Sequence, residues 1–311
     1  MNQYVESVAG HAKLPEETIE ADDRLSEADV AAVREVVAAA TAADGVAPLH
    51  EQAMLQVTAE RVATVRHLLM RHGERLVGYG QLDEGDASAP RLDCVVDPAA
   101  RRHGRGRALV AWARAAVAPR ALELWSHGDQ PAAAALAERL GFERVRELWL
   151  MRRDLRDELP PMPSVPESIR IRTFRPGEDE EAWLALNARA FAEHPEQGRT
   201  TRADLDRRMK QPWFDPEGFF LAERDGQLVG FHWTKVHDAD PPVGEVYVVG
   251  VDPEAQGLGL GGILTLIGLH HLRDRGLHTV LLYVEATNTP ATAVYRRLGF
   301  AHAGTDVMYH G

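Results

Sequence analysis

Hydrophobic and polar residues follow two different periods along the chain. Between residues 26 and 45, alanines and valines recur at helical spacing after a capping signal formed by Ser26 and Asp29, and Gly45 ends the run. Residues 169–174 instead alternate between apolar and polar positions, which is the pattern of a half-buried strand. The first half is therefore predicted to open with a helix and the second half with a strand.

The second half continues with further predicted elements. Asp225-Gly226 is a dipeptide typical of a tight turn, so residues 219–236 are predicted to form a β-hairpin. The other predicted elements are, in chain order, a helix over 180–191, a strand over 245–251, a helix over 262–275, a buried strand over 279–284, a short helix over 290–298 and a final strand. This order predicts an α/β fold with a mixed sheet, in which antiparallel strands precede a strand–loop–helix–strand crossover.

The chain repeats itself once. Residues 96–106 and 251–261 superpose without a gap, Leu76-Val77-Gly78 matches Leu228-Val229-Gly230, and residues 139–142 match residues 297–300 in the same order and at nearly the same offset. Because the period is about half the chain, we expect a duplicated domain. A linker is predicted where residues 160–166 contain four prolines, since such a run cannot join a helix or a central strand. The predicted divisions are an N-terminal extension over 1–24, expected to be disordered, a first domain over 25–158, a linker over 159–168 and a second domain over 169–311.

Composition excludes several classes of function. The 311 residues carry a formal net charge of -12, which argues against a nucleic-acid partner. No stretch is long and apolar enough for a membrane helix, and the first twenty residues lack the apolar core of a secretory signal, so we expect a cytoplasmic, monomeric protein without membrane contact. Cys94, the single cysteine, lies in a predicted strand and is expected to be a buried structural thiol.

The sequence gives no sign of a metal site. One cysteine cannot form a cysteine-based zinc site, and no H-E-x-x-H motif occurs among the fourteen histidines. His270 and His271 are adjacent on a predicted helix and therefore point in different directions. We expect no metal.

A glycine-rich loop between a predicted strand and a predicted helix is the strongest chemical signal. Glycines allow backbone N–H groups to surround an anion, and the helix N-terminus adds a positive dipole end, so a pyrophosphate fits this loop. The segment Gly257-x-Gly259-x-x-Gly262 satisfies a dinucleotide-binding pattern, but that pattern should open its domain, and this loop lies deep inside. Both copies of the repeat share [RQ]-x-x-G-x-G instead, as Arg101-x-x-Gly104-x-Gly106 and Gln256-x-x-Gly259-x-Gly261.

The shared loop resembles the pyrophosphate loop of the GCN5-related N-acetyltransferase (GNAT) superfamily. Residues 288–300, with Asn288, Ala291, Tyr295 and Gly299-Phe300, resemble the distal cofactor motif of the same superfamily. The resemblance implies two tandem GNAT domains that bind acetyl-CoA where two parallel strands splay. In the second half it implies a cofactor site formed by Val249, Gly250, Val251, Gln256, Gly257, Leu258, Gly259, Leu260, Gly261, Gly262, Asn288, Thr289, Pro290, Ala291, Thr292 and Ala293. In the first half the corresponding residues are Cys94, Val95, Val96, Arg102, His103, Gly104, Arg105, Gly106 and Arg107.

The two halves differ in the residues that could move protons. In the superfamily, a carboxylate on the strand before the loop often serves as base, and a tyrosine after the next strand often donates a proton. Glu245 and Tyr295 match these roles in the second half, whereas the repeat offsets place Pro90 and Ala137 opposite them in the first half. The first domain is therefore expected to bind acetyl-CoA without catalysis.

Longer segments resemble the mycothiol synthase family of tandem acetyltransferases. They include residues 44–52, 194–198, 211–218, 230–237 and 244–253. The resemblance implies direct acetyl transfer to the cysteinyl α-amine of a cysteine–glucosamine–inositol conjugate, an aminoglycoside-like thiol. The acceptor would contact Glu51, Glu196, Lys235, Glu245 and Tyr283. Two alternatives stay open: acetylation of a protein N-terminus or an antibiotic amine, and a non-catalytic CoA-responsive binding module.

Overall fold

The computed structural model describes residues 17–59, 61–86, 89–162, 164–192 and 197–311, and each half contains the same ten elements in the same order. The first half forms β1 (Glu17–Asp22), α1 (Glu27–Asp44), α2 (Glu51–Val57), β2 (Val65–His72), β3 (Arg75–Asp83), β4 (Arg91–Val96), α3 (Arg105–Val117), β5 (Glu123–Ser126), α4 (Pro131–Arg139) and β6 (Glu143–Asp154). The second half forms β7 (Arg170–Thr173), α5 (Glu180–Ala190), α6 (Arg202–Met209), β8 (Phe219–Arg224), β9 (Gln227–His237), β10 (Val243–Val251), α7 (Leu260–Asp274), β11 (Thr279–Glu285), α8 (Thr289–Arg297) and β12 (Ala301–His310). Tandem domains with a mixed sheet are thereby confirmed.

Strand β1 corrects the expectation that residues 1–24 are disordered and that the first half opens with a helix. Residues 17–22 pair antiparallel with β2, from Glu17 opposite His72 to Asp22 opposite His67. Glu17 also forms an ion pair with Arg105 at the start of α3, and both side chains are nearly buried. The backbone ladder and this ion pair together hold the segment in place. Residues 1–16 lie outside the described residues.

The two halves exchange their last strands. In the first compact unit, which contains the residues up to Arg146 and Asp306–Gly311, the strand order is β1-β2-β3-β4-β5-β12. In the second unit, Glu147–Thr305, the order is β7-β8-β9-β10-β11-β6. These units differ from the predicted ranges of 25–158 and 169–311, because β6 pairs with β11 along seven residues and the end of β12 pairs with β5.

The local signals read from the sequence are borne out. The Ser26 hydroxyl accepts a hydrogen bond from the Asp29 N–H at the start of α1, and Gly45 ends the helix in the left-handed conformation. Asp225 and Gly226 both have positive φ, as a two-residue hairpin turn between β8 and β9 requires. None of the helices in the described part of the chain is long and apolar enough to cross a membrane.

Close packing of α7 on β9 positions the glycine loop. A Cβ at Gly268 in α7 would lie 2.0 Å from His232 Cε1 of β9, so the helix can approach the strand this closely only with glycine there. His232 is fully buried with its Nδ1 2.8 Å from the Leu264 carbonyl oxygen, and burial lowers its pKa to about 4. The imidazole is therefore neutral and acts as part of the core. As a result, the N-terminus of α7 is held at the end of β10.

Candidate active site

Two parallel strands part in the second unit, where the cofactor was expected. Strand β10 pairs with β11 through Gly244 with Val280 and Glu245 with Leu281. Beyond Glu245, β10 stays paired with β9 as far as Val251, while β11 pairs with β6 on its other side. A wedge therefore opens after Glu245, and one backbone edge of Val249–Val251 faces it.

The glycine loop at the end of β10 has the geometry of an anion cradle. Gly257 and Gly259 have φ values of +85° and +73°, and Gly259 caps the N-terminus of α7. The first backbone N–H groups of a helix have no intrahelical partner, so those of α7 point out of its end together with the positive end of its dipole. The first copy repeats this conformation with Arg102 and Gly104, whose φ values are +68° and +82°.

Glu245 is a buried carboxylate with one close partner on the same strand pair. Its side chain is 8% exposed, and its Oε2 accepts a hydrogen bond from His237 Nε2 at 2.7 Å. The His237 side chain is 35% exposed. A carboxylate inside the wedge is thereby connected to solvent through one imidazole. His237 was not identified as a site residue from the sequence, although its spacing of two residues from Lys235 on a strand places both on one face.

Lys235 is opposite Glu245 in the β9–β10 ladder, so the two side chains share a face of the sheet. Its Nζ is 4.8 Å from the centroid of the Trp213 ring and 5.2 Å from that of Tyr247. Rings at this distance attract an ammonium group through their electron-rich faces. Lys235 is thus buried among aromatic side chains, with its ammonium group beside β10, the strand that carries Glu245.

The two predicted tyrosines lie in different surroundings. Tyr283 is two residues beyond Leu281, the partner of Glu245, so it lies on the same face as Glu245, and it is 44% exposed. Tyr295 on α8 packs against the core of the second unit and edge-to-face on Phe300, with ring centroids 5.9 Å apart. Burial raises the pKa of Tyr295 to about 12. A phenol with this pKa stays protonated over the whole working range of an enzyme.

The start of α8 is held by the predicted distal motif. Asn288 caps this helix, its Oδ1 accepting a hydrogen bond from the Ala291 N–H at 3.1 Å, and Pro290 stands in the first turn. Residues 288–293 therefore form a second helix N-terminus after β11, next in the chain to the strand that borders the wedge. The structure gives Asn288 a capping role, and the contact of residues 288–293 with a cofactor stays a prediction.

Two of the residues predicted to contact the acceptor substrate are not seen with the others in the second unit. Glu51 is the first residue of α2 in the first unit. Glu196 lies outside the described residues. The second unit itself brings Lys235, Glu245 and Tyr283 onto one face of its sheet.

The first unit has a different residue where the second has Glu245. Counting along the ladders from Val96–Gly78 and Val251–Gly230, the Glu245–Lys235 pair corresponds to Arg91–Asp83. The repeat offset had placed Pro90 opposite Glu245, which is wrong by one residue because a bulge at Tyr247 adds a residue to β10. The charges of the pair are inverted, and the first unit still lacks a carboxylate at this position.

Two arginines of the first unit's loop, Arg101 beside the predicted cofactor residues and Arg105 among them, already contact protein groups. Arg101, the first residue of the loop motif, binds both carboxylate oxygens of Asp44 at 2.7 Å. The Arg105 guanidinium bonds to the Ala100 carbonyl oxygen at 2.5 Å as well as to Glu17. Cys94 lies in β4 as predicted, and burial raises the pKa of its thiol to about 12. This thiol is protonated near neutral pH.

Comparison with known proteins matches both halves of the chain to acetyltransferases. Residues 181–300 match the acetyltransferase (GNAT) family and residues 63–144 match an acetyltransferase (GNAT) domain. Mycothiol acetyltransferase of Catenulispora acidiphila is 54% identical over 303 residues, covering 92% of this chain and 96% of that protein. Mycothiol acetyltransferase of Thermobispora bispora is 53% identical over 296 residues, covering 94% and 99%.

Solved structures share the tandem architecture. A GCN5-related N-acetyltransferase from Sphaerobacter thermophilus has a TM-score of 0.68 at 26% identity, covering 94% of this chain and 95% of that one. A tandem GNAT protein from the clavulanic acid biosynthesis pathway has a TM-score of 0.73 at 24% identity, covering 95% and 98%, and supports the fold alone.

The fold and the matches define an N-acetyltransferase made of two GNAT domains. At the level of the individual family the assignment is equally plain, since identities above 50% extend over nearly the whole chain. The chain belongs to the mycothiol acetyltransferase family.

Proposed function

We propose that the second unit transfers the acetyl group of acetyl-CoA to the cysteinyl α-amine of a cysteine–glucosamine–inositol conjugate, giving mycothiol. The observation that carries the proposal is the placement of Glu245, Lys235 and Tyr283 on one sheet face, where β10 and β11 part beside the glycine loop. Family membership supports the choice of acceptor.

Acetyl-CoA binding uses the backbone more than charged side chains. The pantetheine arm pairs with Val249, Gly250 and Val251 as an added strand, and the pyrophosphate receives N–H groups from residues 256–262. No arginine is present in Gln256-Gly257-Leu258, so amides and the α7 dipole carry the phosphate charge. The start of α8, over residues 288–293, borders the cofactor on its other side.

Glu245 is the general base. An α-amine with a pKa of about 7.7–8.0 is only roughly one-tenth neutral near pH 7, and its nitrogen must lose a proton as it attacks the thioester carbonyl. Glu245 takes this proton directly or through one water molecule. Its hydrogen bond to the half-exposed His237 gives the proton a path to solvent.

Tyr295 assists the departure of CoA. As the tetrahedral intermediate collapses, the carbon–sulfur bond breaks and the sulfur becomes a thiolate that must be protonated. With its pKa raised to about 12, Tyr295 is protonated and can donate a hydrogen bond to the sulfur. A thiol has a reference pKa of about 8.5, so complete transfer from Tyr295 is uphill: the phenol stabilises the departing sulfur by its hydrogen bond, and the released CoA thiolate takes its proton from solvent.

Acceptor recognition falls to polar groups around the wedge. The sugar and inositol present many hydroxyl groups, which carboxylates and an ammonium group bind well. Lys235 and Tyr283 supply such contacts in the second unit, and we assign the same role to Glu51 and Glu196. The first unit is non-catalytic in this scheme, because Arg91 and Ala137 replace the base and the acid.

The test is release of CoA thiol from acetyl-CoA with a panel of amines. The panel contains the cysteinyl–glucosaminyl–inositol, an N-terminal cysteine peptide and an aminoglycoside antibiotic. Rapid turnover with the pseudo-disaccharide conjugate and at least a hundredfold lower kcat/KM with the others is expected. Turnover of peptide or antibiotic at a comparable rate would refute the acceptor, and acetyl-CoA binding without turnover of any amine would refute the enzymatic role.

A further inference from the structure

A cluster of two imidazoles and one carboxylate lies in the first unit, outside the catalytic wedge. His50 immediately precedes α2, Asp93 is in β4, and His127 follows β5 directly. His50 Nδ1 is 3.9 Å from Asp93 Oδ2, and His127 Nε2 is 4.0 Å from Asp93 Oδ1. One ligand atom from each residue lies within 4.8 Å of the others. The three side chains therefore converge on one point from three separate segments.

Two atoms of this cluster are buried without a hydrogen bond. Asp93 Oδ1 and His127 Nε2 have no partner among the described residues, although the side chains are only 5% and 10% exposed. Their separation of 4.0 Å is too long for a direct hydrogen bond, which spans about 2.7–3.2 Å. A buried oxygen or nitrogen without a hydrogen bond loses its hydration uncompensated, and a third group placed between the two atoms would satisfy both.

A second carboxylate fixes the orientation of His127. Asp306 Oδ2 accepts a hydrogen bond from His127 Nδ1 at 2.8 Å, and its other oxygen accepts one from the Gly128 N–H at 2.8 Å. With its proton on Nδ1, the neutral ring presents a lone pair on Nε2 toward Asp93. A carboxylate behind an imidazole in this way is the usual outer support of a metal-binding histidine.

We propose that His50, Asp93 and His127 bind a divalent transition-metal ion, for which Zn²⁺ is the natural probe. Two imidazole nitrogens and one carboxylate oxygen are a donor set that zinc accepts, with a water molecule completing four-coordination. Ligand atoms about 2.0–2.1 Å from a tetrahedral zinc ion lie roughly 3.3–3.4 Å apart. One ligand atom from each residue lies within 4.8 Å of the others, so closure onto a zinc ion requires each ligand atom to move inward by less than about 1 Å.

The position of the cluster is independent of the acetyl-transfer chemistry proposed above. Asp93 corresponds along the strand ladders to Val248 of the second unit, so the catalytic unit has no carboxylate there. Strands β4 and β5 pair through Arg91–Glu123 and Leu92–Leu124 and begin to part after these residues. Asp93 lies at this point, directly before Cys94. The metal would lie at the inner end of the first unit's wedge.

The experiment is zinc titration of the full-length, metal-depleted protein, followed by desalting and elemental analysis. Imidazole binds zinc only in its unprotonated form, so the titration is run at mildly alkaline pH. One zinc per chain is expected in the unaltered protein and in the control His72→Gln, which changes a half-exposed histidine of the same unit.

Three variants make the test specific. Asp93→Asn and His50→Gln should lose the bound zinc while keeping their thermal transition without metal. Asp306→Asn should weaken zinc binding about 10- to 100-fold, because it removes the group that orients His127. Retention of one zinc in both Asp93→Asn and His50→Gln would place the metal elsewhere and overturn the proposal. So would failure of the folded, unaltered protein to retain zinc. Neither readout uses acetyl transfer, so the proposed function stands or falls separately.

Discussion

Substitution of the buried carboxylate tests the chemistry most directly, and Glu245→Gln is the mildest such change. The amide keeps the shape of the side chain, and its oxygen can still accept the 2.7 Å hydrogen bond from His237. It cannot take a proton from the amine. Loss of a general base typically lowers turnover by about 10²–10⁴-fold. Because an α-amine is already partly neutral near pH 7 and the local packing is kept, we expect about 10²–10³-fold, which corresponds to about 2.7–4 kcal/mol in the barrier.

The assay follows CoA thiol release at saturating acetyl-CoA, with acetyl-CoA affinity measured separately by calorimetry. Affinity should be unchanged, since in the proposed scheme the glycine loop and the β10 edge hold acetyl-CoA without Glu245. The residual rate should rise with pH up to about 8, where the free α-amine is neutral by itself. Glu178→Gln, at an exposed position paired with Arg175, is the matched control and should retain full activity. A kcat for Glu245→Gln within threefold of the unaltered protein would refute the assignment of the base.

Three further changes separate the remaining roles. Tyr295→Phe should lower kcat about 10²-fold with little change in acetyl-CoA affinity. The raised pKa keeps Tyr295 protonated as pH rises through 10, so kcat of the unaltered protein should not fall through loss of this acid below about pH 11. A fall in kcat with a midpoint near pH 10 would contradict this role. His237→Gln should lower kcat about 10-fold, less than loss of the base itself, and should alter the pH profile of kcat/KM; an unchanged profile would argue against a proton path. Gly259→Ala and Gly104→Ala each place alanine at a positive φ and should each lower the free energy of unfolding by about 1–2 kcal/mol in denaturant unfolding. Only Gly259→Ala should weaken catalysis. An equal loss of activity in both variants would contradict a non-catalytic first unit.

Most elements of the fold could be predicted from local sequence signals. Ser26 with Asp29, and Asp225 with Gly226, define a cap and a turn through interactions between near neighbours, so the sequence is sufficient to place them. Strand β1 escaped notice because residues 17–22 are mostly polar and belong to an edge strand, whose stability comes from β2 about fifty residues away. The exchange of β6 and β12 leaves no trace in local periodicity for the same reason.

The site was predicted unevenly. The glycine loop is marked by a motif that occurs in both halves, and Glu245 was identified from its place on the strand before that loop. The alignment of Glu245 with the first half was wrong by one residue, because no local pattern indicates the bulge at Tyr247. The cluster of His50, Asp93 and His127, for which we propose zinc binding, was not identified from the sequence. His50, Asp93 and His127 are separated by more than thirty residues each and have no signature spacing, so only the folded first unit brings them together.

Strand exchange leads to a prediction about which fragments can fold. A fragment of residues 159–311, cut at the proline-rich linker, lacks β6, whose residues Leu148–Asp154 pair with all seven residues of β11. It would expose the β11 edge and remove Met151, which is fully buried in the core of the second unit. Loss of one such side chain alone costs about 2–5 kcal/mol, a large part of the stability of a domain. A fragment of residues 147–305, which follows the compact unit, keeps that strand and omits the end of β12. We expect the second fragment to unfold cooperatively by circular dichroism and the first to aggregate or lack a transition. Equal cooperative transitions in both fragments would show that β6 contributes little to the second unit.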